Sequence, residues 1–179
     1  MTLRAHIAVL AGVLFANSLL AASDDVPVLT VCEVLSNLER YEGGTVIVVG
    51  RSTGTLEGSW LDEDCGMKVV RAGREFRATI SIAYSTGDFA PPPELPKGFQ
   101  WDKNILQQKL SQVKRTTKLR THKHEDSDEW LAVFGRLETG LPRKVNIGNG
   151  RHGYTSGFGH LSGSPAQLIF PADGSVRLK

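Results

Sequence analysis

Two short stretches, Val48-Val49-Gly50-Arg51 and Val133-Phe134-Gly135-Arg136, constrain the fold of this chain more than any other feature. Each lies in an apolar run, Thr45 to Arg51 in the first case and Glu129 to Leu137 in the second. The first is β-branched, the composition that favours strands. Apolar side chains at successive rather than alternate positions mean a strand buried on both faces. Gly50 then reads as a bulge or bend in a strand that has to curl. The echo between the two stretches is too short to be a repeat, but it predicts two central strands of similar construction.

The remaining pattern supplies elements around those strands. Thr30-Val31-Cys32-Glu33 has the Thr-x-x-Glu form of a capping box. With Val31, Val34, Leu35 and Leu38 at helical spacing, it predicts a short helix running to about Arg40 and stopped by Gly43-Gly44. Leu56 to Leu61 and Lys68 to Arg71 are shorter strand candidates around an acidic turn, Asp62-Glu63-Asp64, which lacks the spacing of a calcium loop. Phe76 to Ile82 alternates as a half-buried strand. Ala90 to Pro93, with Pro96, reads as an extended surface segment. A second helix is expected from Asp102 to Thr117, with Leu106, Leu110, Val113 and Thr117 on one face. After a glycine-rich stretch, Ala166 to Phe170 looks like a closing strand. Helix, three strands, helix, two or three strands is the order of a β-rich α+β fold. It favours a small OB-like β-barrel, with one N-terminal helix and one helix inserted between strands 3 and 4, over an open sheet.

Residues 1–23 read as a signal peptide. Arg4 gives the positive start, Ile7 to Leu20 the apolar run, and Ala21, Ala22 and Ser23 the small residues that cleavage needs. The run is shorter than the ~20 residues of a bilayer span, although retention as an N-terminal anchor is the alternative. No other segment of the mature chain is expected to cross a membrane, so 24–179 is read as one globular domain, exported to a periplasmic or extracellular setting. The whole chain is 40% hydrophobic, but that figure includes the signal. The mature composition excludes a disordered chain, a coiled coil and a polytopic membrane protein.

In an oxidising compartment the two cysteines, Cys32 and Cys65, read as one disulfide rather than as two free thiols, since neither belongs to a Cys-x-x-Cys motif. Motifs with chemistry are scarce. Gly148 to Gly153 matches G-x-G-x-x-G, but Tyr-Thr-Ser-Gly-Phe-Gly follows where the dinucleotide fingerprint requires a helix. His160 with Ser162 or Ser164 lacks the context of a hydrolase. In Lys118 to His124, an extended backbone would put His122 and His124 on one face, close enough to share a metal but supplying only two ligands. No cofactor is expected.

Charge is unevenly spread: residues 24–100 carry 7 basic and 12 acidic groups, residues 101–179 carry 13 and 7. Seven basic residues and no acid lie between Lys103 and Lys123, among them Lys114, Arg115, Lys118, Arg120 and Lys123. The stripe could meet an anionic polymer or envelope surface. A specific nucleic-acid partner is not expected, because the stripe holds no aromatic residue for stacking. Of the three tryptophans, Trp130 belongs to a buried strand and Trp101 to a helix start, leaving Trp60 as the candidate to line a sugar- or peptide-binding groove.

Four stretches, Val31 to Leu35 through Tyr41 to Gly50, Trp60 to Gly66, Phe134 to Thr139, and Gly157 to Leu161 through Pro165 to Leu168, carry a resemblance. Together they resemble a group of small, single-domain exported bacterial proteins whose function is uncharacterised. The resemblance implies export and a compact domain, and no substrate or catalytic residue. The expected function is a non-enzymatic exported binding or interaction module. The alternatives are a metal-dependent or hydrolytic enzyme using His122, His124 or His160, and an envelope-associated protein binding an anionic surface through Lys103 to Lys123.

Overall fold

A computed structural model of the chain describes residues 26–56, 58–71, 73–84, 91–117, 129–140, 143–146, 152–155, 157–159 and 162–179. It begins with β1 (Val28–Thr30), two helical turns α1 (Val31–Leu35) and α2 (Leu38–Tyr41), and the long strand β2 (Thr45–Thr55). Strand β3 (Gly58–Asp62), the hairpin β4 (Val69–Arg71) and β5 (Arg74–Phe76), and β6 (Thr79–Tyr84) follow. Helix α3 (Lys103–Thr116) precedes the second long strand, β7 (Glu129–Thr139). A hairpin of β8 (Arg143–Asn146) and β9 (His152–Thr155), then β10 (Ala166–Phe170) and β11 (Ser175–Leu178), complete the order.

Strands β2, β3, β6, β10 and β7 pair in that sequence, and β7 pairs back onto β2, so five strands close a barrel. Four of its seams are antiparallel. The fifth, β6 with β10, is parallel, from Ala166 opposite Ile80 to Phe170 opposite Tyr84. Helix α3 enters between the third and fourth barrel strands, as the OB-like expectation required.

The two central strands are apolar on both faces because each separates two cores. Val46 and Val48 of β2 meet Val133 and Leu137 of β7 inside the barrel, with Leu61, Ile80, Ala166, Leu168 and Phe170. Ile47 and Val49, with Trp130, Ala132 and Phe134, face outward and are covered by Leu106, Leu110 and Val113 of α3. The predicted helical face is thus the buried one. Asp102 caps the helix by accepting from the Asn104 and Ile105 amides at 2.9 and 3.0 Å.

The two glycines stand where the long strands change partners. On one edge, β2 pairs with β1 through Val49 and with β3 from Arg51, and Gly50 lies between. Likewise β7 pairs with β11 through Val133 and with β10 from Arg136, with Gly135 just before the change. Val48 pairs with Val133, so each glycine follows a member of that central pair by two residues. A Cβ at Gly135 would stand 2.6 Å from the Ile169 carbonyl oxygen, and one at Gly50 would stand 2.8 Å from Val31 Cγ2. Only glycine lets the neighbouring segments approach this closely.

Three expectations change in detail. The first helix is broken into α1 and α2, because the Ser36 hydroxyl and the Asn37 amide bond back to the carbonyls of Cys32 and Glu33 at 2.7 and 3.2 Å. Such side-chain bonds compete with helix continuation. The strand expected over Phe76 to Ile82 is two strands: Phe76 pairs with Val69 in the β4–β5 hairpin, while Ile80 pairs with Leu61 in the barrel. A tight turn in which the Thr79 amide donates to the Arg77 carbonyl separates them. The proline segment runs along the surface, but Leu95 within it, and Phe99 just after it, pack onto the α3-side core.

Candidate functional site

Strand register gathers one row of side chains on the outer surface of the barrel. Thr53 pairs with Trp60, Trp60 with Ser81, Ser81 with Gln167, and Gln167 with Glu138. Alternation turns Leu61, Ile80 and Leu168 into the core and so turns this row outward. Trp60 is half-exposed, and its six-membered ring lies over Gly58, 3.5 Å from where a Cβ would stand. Ser81 is walled by Gly159, whose Cβ position is 3.0 Å from Ser81 Oγ. Thr79 and Ser164 join hydroxyls at 2.8 Å and hold that wall to β6.

Two polar atoms of the row have no partner. Thr53 Oγ1 and Gln167 Nε2 are shielded from solvent without a hydrogen bond, and Gln167 as a whole is only 5% exposed. Such groups are costly to leave unmet. The charges beside the row, in contrast, are matched. Arg51 makes a bidentate pair with Asp62, Nε to Oδ1 at 2.8 Å and Nη2 to Oδ2 at 2.9 Å. Arg136 Nη2 donates to Glu138 at 3.0 Å, and Nη1 to the Pro91 carbonyl at 2.7 Å. An aromatic plate with unmet neutral polar atoms and self-paired charges can stack and hydrogen-bond a ligand that carries no net charge.

Cys32 and Cys65 are joined, with S–S 2.12 Å and Cα atoms 5.3 Å apart. Around the bridge lies a carboxylate, Glu63, that stands in the acidic turn Asp62-Glu63-Asp64. Glu63 is buried, accepting from the Cys32 amide at 2.9 Å and the Thr116 hydroxyl at 2.8 Å. It ties α1, the segment after β3 and the end of α3 together. Among the described residues, Cys32, Glu63 and Cys65 bring donor atoms within 4.8 Å of one another. With the sulfurs bonded to each other and both carboxylate oxygens engaged, this is a structural joint rather than a metal site. Beside it Glu33 completes the capping box with Thr30 and holds Lys109 at 2.6 Å. Desolvation raises the Glu33 pKa, but the bonds from Lys109 and the Thr30 amide outweigh it and leave it below the ordinary value.

The basic run is dispersed where it is described. Lys109 is taken by Glu33, and Lys114 lies over the Trp130 ring at 5.6 Å. Lys103 and Arg115 are exposed on different sides of α3. Lys118, Arg120 and Lys123 lie outside the described residues, as do His122, His124 and His160. Trp130 is buried, and Trp101 packs edge-on against Phe99 at the start of α3, with ring centroids 5.0 Å apart. Of the residues singled out in the sequence, Trp60 alone falls in the outer row. Thr53, Ser81, Gln167 and Glu138 had no signal of their own, because only register assembles them.

Fold and surface together define a small OB-like barrel with an aromatic and polar row across its outer strands. No family model matches the chain, nor does any curated protein or solved structure.

Proposed function

We propose that this chain is a non-enzymatic, exported binding module that holds a neutral, polar, hydroxyl-rich ligand of the oligosaccharide class on the row from Thr53 to Glu138. One observation carries this reading: half-exposed Trp60 shares its row with Thr53 Oγ1 and Gln167 Nε2, both unpartnered and shielded from solvent. A sugar ring offers an apolar face to an indole and hydroxyls to both atoms. The self-paired arginines beside the row favour a neutral ligand over a nucleic acid, whose phosphates need free cations. OB barrels in general bind oligonucleotides or oligosaccharides across the strand 2–3 face. Here that face is β3 and β6, although activity is decided by the site and not by the fold.

The test is calorimetric titration of the mature chain with neutral gluco-, malto- and chito-oligosaccharides. Binding that Trp60→Ala weakens at least tenfold, with an unchanged melting temperature, is expected. Absence of binding throughout the series, or full binding by the variant, contradicts the proposal. Export is tested by the mass of the protein recovered outside the cytoplasm, which should correspond to a chain starting at Ala22, Ser23 or Asp24.

A further inference from the structure

We propose that opening the Cys32–Cys65 bridge converts the joint at α1 into a zinc site, with Glu63 as the third protein ligand. The two sulfurs and a Glu63 carboxylate oxygen lie within 4.8 Å of one another. Cys32 comes from α1, and Glu63 and Cys65 from the segment after β3, so the fold and not the local sequence brings the donors together. Zinc–sulfur bonds of about 2.3 Å in a tetrahedron set two sulfurs about 3.8 Å apart, with a carboxylate oxygen at about 2.0–2.2 Å from the ion. The spread of the three donors is of that size, which leaves the adjustment to side-chain torsions.

Glu63 is already held as a ligand would be. It is only 4% exposed, and its oxygens accept from the Cys32 amide at 2.9 Å and the Thr116 hydroxyl at 2.8 Å. Hydrogen bonds of this kind orient metal-bound carboxylates, and each oxygen keeps a second lone pair. Both donors are neutral, and among the described residues no cationic side chain pairs with this buried carboxylate. A buried charge without a counter-charge is costly, and a metal cation supplies one.

In the bridged chain the sulfurs cannot act as thiolates. A dithiol reductant opens the bridge by exchange: the reductant becomes a disulfide, and Cys32 and Cys65 become thiols. Both cysteines are half-buried rather than sealed in the core. Zinc then binds the two sulfurs as thiolates and displaces both protons. A water completes the tetrahedron. Two thiolates favour zinc over calcium or magnesium, which prefer oxygen donors. The ion then ties α1 to the segment after β3 in place of the disulfide. This site is separate from the Trp60 row and does not depend on what that row binds.

The test uses untagged residues 24–179, reduced with a phosphine that is removed without oxygen, beside the bridged form. Each is titrated with cobalt(II), a coloured stand-in for zinc, and then with zinc. The reduced chain should take up a single ion with thiolate charge-transfer and tetrahedral bands, which zinc displaces, and should melt higher with zinc than without. The bridged chain should give neither band. Glu63→Gln, with both cysteines intact, should bind at least tenfold more weakly. If that variant does not fold, Thr116→Val, which removes a hydroxyl that orients the carboxylate, should bind about tenfold more weakly. If reduction alone unfolds the chain, zinc should restore the native circular dichroism. Absence of the thiolate band in the reduced chain, failure of zinc to raise the melting temperature or restore the fold, or equal binding by the Glu63 or Thr116 variant overturns the proposal.

Discussion

At Gly135 the missing side chain matters more than most side chains present. Its would-be Cβ meets a backbone oxygen, Ile169 O, which cannot rotate away, whereas at Gly50 the closest atom is the movable methyl of Val31. Gly135→Ala should therefore cost about 2–3 kcal/mol of unfolding free energy and Gly50→Ala distinctly less, by the cost of overpacking a filled interior. Urea denaturation of both variants checks the order as well as the size. Glu63→Gln should cost about 1–3 kcal/mol, since an amide nitrogen would replace one of two carboxylate oxygens that accept bonds from Cys32 and Thr116. Both glycines were visible in the sequence as interruptions of apolar runs. Glu63 was not, because its partners come from residues 31 positions earlier and 53 later.

At the scale of elements, the docking of α3 combines the apolar stripe Leu106, Leu110 and Val113 with the Glu33–Lys109 pair at one flank. The Glu33 pKa is lowered from its ordinary 4.5, so this carboxylate stabilises the folded chain above that pH. That contribution is lost as pH falls through the depressed folded-state value. Lys109→Met should therefore be less stable than the parent at neutral pH, and the difference should shrink as pH falls through the depressed Glu33 value, in denaturation followed by circular dichroism. The effect is modest, because both side chains are partly exposed. Helix α3 was legible almost to the residue, since a capping Asp102 and a regular apolar spacing act locally. Strands β1 and β11, of three and four residues, were not, because so short a segment is defined by the long strand beside it. The division between β5 and β6 was equally hidden, since Phe76 and Ile80 alternate correctly yet pair with different strands.

For the whole molecule, the order of elements gave the barrel, and closure explains why two strands had to be apolar throughout. The Cys32–Cys65 bridge closes a chain separation of 33 residues that spans β2 and β3. Replacing both cysteines with serine should lower stability by about 4 kcal/mol in the chain-entropy model and lower the melting temperature, read by calorimetry. The candidate row illustrates the opposite limit of sequence reading. Its five members come from five strands spread between Thr53 and Gln167, and only the tryptophan among them stands out by composition. If the proposed function holds, this row is the ligand face of the barrel. Nitrogen–proton correlation spectra of residues 24–179, recorded during titration with a neutral oligosaccharide, put this to the test. Shifts are expected to concentrate at Thr53, Trp60, Ser81 and Gln167, including the Trp60 indole and the Gln167 side-chain amide. Shifts concentrated instead on α3, or no shifts at millimolar ligand, would contradict it.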